Sequence, residues 1–166
     1  MEKKKRIVKK IGNIFCVEVE DKFKCYFQYI ANDLEQLNSS VIRVFKKHYT
    51  LESNPTMDEI VNDEVSFYAH TVLRAGILYN AWYKVGTNRN VGDTENIKFK
   101  IYDDVNFWGT GKTKSCRWRV WTINQPWQFL GEMTDECREY DWGPVLSYLN
   151  VVCKIKTGKF RSIILE

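Results

Sequence analysis

Histidine is almost missing from this chain: His48 and His70 are the only two in 166 residues. A nucleophile–base site needs a base within hydrogen-bond reach of the nucleophile, and usually a third group to orient it. Neither histidine has such neighbours in the local sequence. His70, between Ala69 and Thr71, reads as a packed or half-exposed strand residue, and His48, after Lys46-Lys47, as a solvated strand end. Paired cysteines are missing too. The five, at 16, 25, 116, 137 and 153, stand singly with no C-x-x-C, which removes a structural zinc site. Cys16, Cys25, Cys116 and Cys153 fall in expected strands, where a free thiol acts as a small apolar side chain. The odd count fits a reducing compartment. No apolar stretch approaches a membrane span and no apolar run follows the first basic residues. A cytoplasmic protein with no membrane partner is the expectation.

Phosphate and cation motifs fail on spacing. Gly109-Thr110-Gly111-Lys112-Thr113 lacks the earlier glycine of a phosphate loop, since Asn106 stands there, and reads as a glycine turn. Asp103-Asp104 and the acidic run at 135–141 match no calcium loop. No metal, no cofactor, no catalytic residue and no small-molecule substrate is therefore expected. A carboxylate-based enzyme would need a deep pocket holding carboxyl groups of raised pKa.

Charge is abundant but uneven. Six of the first ten residues are Lys or Arg against one Glu, while the whole chain carries a formal +4. Residues 1–10 thus form a basic lead and residues 11–166 a nearly neutral body, read as a single β-rich domain. A nucleic-acid binder spreads positive charge over a face or groove, so this distribution argues against a nucleic-acid partner. The rival reading is a nucleic-acid-binding β-barrel module that uses the lead with Arg117, Arg119 and Trp121 as a stacking surface.

Aromatic residues make up 14% of the chain, which suits half-buried pleated surfaces. Phe15, Val17 and Val19 share a face, as do Phe23, Cys25, Phe27 and Tyr29 after a turn at Glu20-Asp21-Lys22. That period of two marks strands. Asn32 to Ser40 reads as a loop, and further strands are expected at 41–45, 66–72, 78–85, 97–102, 116–123, 129–133, 149–155 and 162–165. Gly76 is expected to bend the chain between two of them. One helix is expected near 56–64, where Thr56 and Glu59 have capping-box spacing. The predicted fold is mainly β: a curved antiparallel sheet or partly open barrel with one short helix.

One surface stands out for binding. Glu132, Asp135, Glu136, Glu139 and Asp141 lie among Tyr140 and Trp142. Such a run can steer and hold a basic partner. Trp121, on the strand face of Arg117 and Arg119, is a further contact candidate, because Trp and Arg are favoured interface anchors. The expected partner-binding set is Glu132, Asp135, Glu136, Glu139, Tyr140, Trp142 and Trp121.

The opening Lys10-Ile11-Gly12-Asn13-Ile14-Phe15-x-Val17, followed by Lys24-x-Tyr26-Phe27-Gln28-Tyr29-Ile30, resembles the start of the immunity protein 26 family. Val152-Cys153-Lys154-Ile155-Lys156-Thr157-Gly158-Lys159 resembles that family's final strand and glycine turn. The resemblance implies a bacterial immunity protein of a polymorphic toxin system, which neutralises a cognate toxin by occupying it. It implies a protein partner and no turnover.

Overall fold

The computed structural model describes residues 8–103 and 114–161. The outer parts of the basic lead, the glycine turn at 109–113 and the expected last strand at 162–165 lie outside the described residues. The chain opens with β1 (Asn13–Val19), β2 (Phe23–Asp33), β3 (Ser39–Phe45), α1 (Met57–Val61) and β4 (Val65–Thr71). It continues through α2 (Leu73–Leu78), β5 (Tyr83–Thr87), β6 (Lys98–Tyr102), β7 (Trp118–Thr122) and β8 (Gln128–Gly131). It closes with α3 (Asp135–Arg138), β9 (Asp141–Trp142), β10 (Val145–Leu146) and α4 (Tyr148–Thr157).

Two open sheets result. The larger runs β10-β4-β3-β2-β1-β5 and the smaller β8-β7-β6-β9. β1 to β4 form an antiparallel meander, whereas β10 joins β4 and β9 joins β6 in parallel. The period-two faces explain why the larger sheet is buried on both sides. Phe15, Val17, Cys25, Phe27, Tyr29, Ile42, Val44 and Phe67 face one way, under Leu73, Trp82 and the α4 residues Val151 and Ile155. On the opposite face Ile60 and Val61 of α1 cover Ile14, Cys16, Tyr26 and Phe45. Beyond them Phe99 and Trp121 of the smaller sheet cover Ile30 and Val41. Each fully buried apolar side chain contributes about 1.5–3 kcal/mol.

Between these two coverings the second face is polar. Arg43 Nε donates to Gln28 Oε1 at 2.9 Å, and an Arg43 terminal nitrogen donates to the Asn90 carbonyl at 2.6 Å. Gln28 Nε2 donates to the carbonyls of Asn88 (2.7 Å) and Gly12 (3.2 Å). These side chains are buried, so the bonds satisfy groups that water cannot reach.

The mainly-β, single-helix expectation is overturned. Among the described residues there are four helices, and both sheets are open and mixed in direction, which makes this a mixed α/β fold. The expected helix is present: Thr56 accepts from the Glu59 amide and Glu59 accepts from the Thr56 amide. The strand expected at 149–155 is instead α4. Its alternating Leu149, Val151, Cys153 and Ile155 disguise a helical stripe of Tyr148, Val151, Val152 and Ile155, which packs on the sheet. Ser147 caps it by accepting from the Asn150 amide, and Gly158 ends it at φ 75°. Gly76 lies within α2 rather than at a bend between strands. The expected loop at 32–40 shrinks to residues 34–38, because β2 runs on to Asp33 and β3 begins at Ser39.

Candidate functional site

The acidic run is built on a single helical turn. Thr134 accepts from the Cys137 amide at 3.3 Å and so caps α3. Asp135 and Glu136 then fall in the first turn, where carboxylates suit the unsatisfied amides. Cys137 points inward and is buried, which turns Asp135, Glu136 and Glu139 outward. Glu132, in the approach to the helix, is also exposed.

Tyr140 organises the centre of this segment. Its hydroxyl donates to Glu136 Oε1 at 2.8 Å and accepts from Lys98 Nζ at 3.2 Å. Lys98 also lies 3.7 Å from Glu136 and 5.1 Å from the Tyr140 ring centroid. Burial, then the bond to Glu136, raise the Tyr140 pKa, while the Tyr140 and Glu136 partners raise that of Lys98. Two surface cavities share Lys98 and Tyr140. One, of about 420 Å³, is lined by Trp121, Pro126 and Trp127; the other, of about 380 Å³, by Tyr68, Asp93 and Asp141.

Asp141 begins β9, opposite Phe99. Burial pushes its carboxyl up to about 6, against the lowering effect of the Tyr68 backbone bond, Lys154 and Lys100. Asp93 in the same cavity is held low, first by the Asn96 side chain.

The remaining two candidates point inward. Trp142 is half-buried against Tyr102 (5.2 Å) and Trp118 (6.2 Å). Trp121 is 3% exposed, and its indole N–H donates to Asp33 Oδ2 at 2.8 Å. Of the expected set, the structure brings Glu136 and Tyr140 into contact and leaves Glu132, Asp135 and Glu139 on the same exposed segment. Trp121 and Trp142 serve the packing beneath. The stacking surface of the rival reading is also engaged: Arg119 lies 3.9 Å over the Trp127 ring and pairs with Asp103.

Sequence reading missed the buried knot below. Asp33 Oδ2 also accepts from His70 Nε2 at 2.8 Å, and Oδ1 accepts from the amides of Asn124 (3.0 Å) and Glu35 (3.2 Å). Burial would raise Asp33, but the bonds from His70, Trp121 and Asn124 outweigh it and hold the carboxyl low. An ionised carboxylate only accepts, so His70 Nε2 is the donor of this pair, and Nδ1 is buried without a partner among the described residues. Both side chains are fully buried, so this His–Asp pair, within the larger sheet, is sealed from any substrate, and Asp33 reaches the smaller sheet through Trp121. The three residues lie far apart in sequence, and no local spacing announces them.

Among the described residues, no group of three His, Cys, Asp or Glu side chains is placed to hold a metal ion. No helix among them is long and apolar enough to cross a membrane. Comparison with known proteins gives one family: the model described as Immunity protein 26 matches residues 10–108, well over half of the chain. That match takes in β1 to β6 and stops short of the acidic segment and of α4. No curated protein and no solved structure matches the chain.

Proposed function

The chain belongs to the immunity protein 26 family, and from that premise we propose that it meets its toxin on the acidic segment centred on Tyr140. Its family role is to bind and neutralise a bacterial toxin without catalysis. The observation that supports this surface is the outward set Glu132, Asp135, Glu136 and Glu139 on a turn whose inward residue, Cys137, is buried. A fixed carboxylate cluster speeds encounter with a positive surface and penalises wrong partners. Tyr140 supplies a rigid ring among them, clamped by Glu136 and Lys98. Inhibition then follows from occupancy: a toxin covered by this face cannot reach its target.

Two coarser features belong to the same reading. All five cysteines are free thiols, which supports a reducing compartment, the cytoplasm. The Asp33–Trp121 bond crosses between the sheets and supports residues 11–166 as one folding unit.

The test is to look for a toxin domain encoded in a neighbouring reading frame and to measure direct binding to it. Reversing two charges, Glu136→Lys with Glu139→Lys, should slow association about tenfold at low salt, with the difference shrinking as salt rises. Unchanged association would remove this surface from the interface while leaving the family role standing.

A further inference from the structure

The larger sheet contains two tight hairpin turns of the same kind. In the first, Lys22 N–H donates to the Val19 carbonyl at 2.9 Å, and the two central residues, Glu20 and Asp21, have φ of 48° and 52°. In the second, between β2 and β3, Ser39 N–H donates to the Gln36 carbonyl at 3.0 Å, and the central residues Leu37 and Asn38 have φ of 57° and 49°. Positive φ at both centres disfavours bulky side chains, and Asn, Asp and Gly are the usual occupants. The first turn places solvent-seeking residues there. The second places a leucine that is 85% exposed, beside Leu34 at 70%. Neither leucine belongs to the core, so folding gains nothing from them that a polar residue would not give.

This turn is held rigidly. Asp33 Oδ1 accepts from the Glu35 amide, Leu34 N–H donates to Asn124 Oδ1 at 2.8 Å, and Ser39 Oγ donates to the Gln36 carbonyl at 2.6 Å. Gln36 Nε2, buried, donates to the Gly143 carbonyl at 3.0 Å and so ties the turn to the segment that follows Trp142. An apolar pair fixed before contact loses little freedom on binding.

We propose that Leu34 and Leu37 form a preset apolar prong that inserts into a nonpolar cleft of the toxin, at the side of the contact face toward Gly143. This rests on the toxin-binding reading above. Two leucine side chains alone fall far short of the roughly 800 Å² that a stable interface needs from each partner. The prong therefore acts as an anchor within a larger contact, and the tie to Gly143 makes it continuous with the segment carrying Tyr140.

The experiment compares the full chain with a Leu34→Ser, Leu37→Asn variant, measuring affinity for the adjacent-frame toxin domain, thermal unfolding and sedimentation of the chain alone. Asn tolerates positive φ better than Leu, so the variant should melt at or above the parent temperature while its Kd rises by at least ~10-fold. Equal affinity would overturn the prong and leave the family role intact. Failure of the parent chain to bind would overturn both. Self-association of the parent that the variant loses would assign the leucines to a second copy and overturn the toxin contact. The single Leu37→Asn variant, read in the same way, decides the matter should the double variant not fold.

Discussion

Asp141 sits where burial and two lysines pull in opposite directions, and burial wins. Its folded pKa, about 6, lies above the value near 3.9 of an unfolded aspartate. Between those values the folded state holds more protons than the unfolded one, so stability falls as pH rises from about 4 to about 6. Asp141→Asn removes that fall. Urea titrations across this range should find the variant equal to the parent near pH 4 and more stable above pH 6, by on the order of 1 kcal/mol after allowance for water access. A parent whose stability rises through that window would contradict the burial argument. At this scale the sequence was readable in part. Exposed Glu136 and half-buried Tyr140 lie on one segment, as their spacing suggested, but the partner Lys98 comes from β6 and could not be seen. The strand alternation places Trp121 on the face of Arg117 and Arg119, while its partner, Asp33, lies on another sheet.

Elements were legible where their ends carry chemistry. The Thr56–Glu59 capping box gave α1 directly, because both bonds are local. α4 was hidden by an apolar run that satisfies two periods at once, although Ser147 and Gly158 were the caps that could have decided it. α2 has no side-chain cap at its start and contains a glycine, so nothing local declares it. The glycine has a packing reason. A Cβ at Gly76 would lie 2.0 Å from the Trp82 indole, which is itself buried and donates to the Leu73 carbonyl at 3.1 Å. Gly76→Ala should therefore destabilise by about 1–3 kcal/mol through overpacking, despite alanine's better helix propensity. Denaturant unfolding with tryptophan fluorescence checks it; a stabilised variant would mean that Trp82 moves freely.

For the molecule as a whole, the decisive feature is that two open sheets share a buried joint. Sequence periodicity marks most strands but does not show that the larger sheet is covered on both faces, where even the polar side chains Lys24, Gln28 and Arg43 are buried. Asp33 is the centre of that joint. Asp33→Asn leaves the donors of His70 and Trp121 facing an amide that can accept only through its oxygen, and should cost about 3 kcal/mol. The loss should appear equally in far-ultraviolet circular dichroism and in tryptophan emission, because both sheets depend on the same carboxylate. The parent should lose this contribution only as pH falls below about 4, since its folded pKa is depressed, and the variant should lack that acid-dependent part. Loss of the smaller sheet's signal alone would show that the sheets unfold separately.

Arg43 and Gln28 grip the crossing over 88–92 chiefly by its carbonyl oxygens, those of Asn88 and Asn90. Every amino acid offers the same carbonyl. The exposed side chain of Arg89 can therefore be exchanged without loosening those two anchor points. Inheritance can rewrite what that stretch displays to the outside while the path of its backbone stays where these two buried side chains put it.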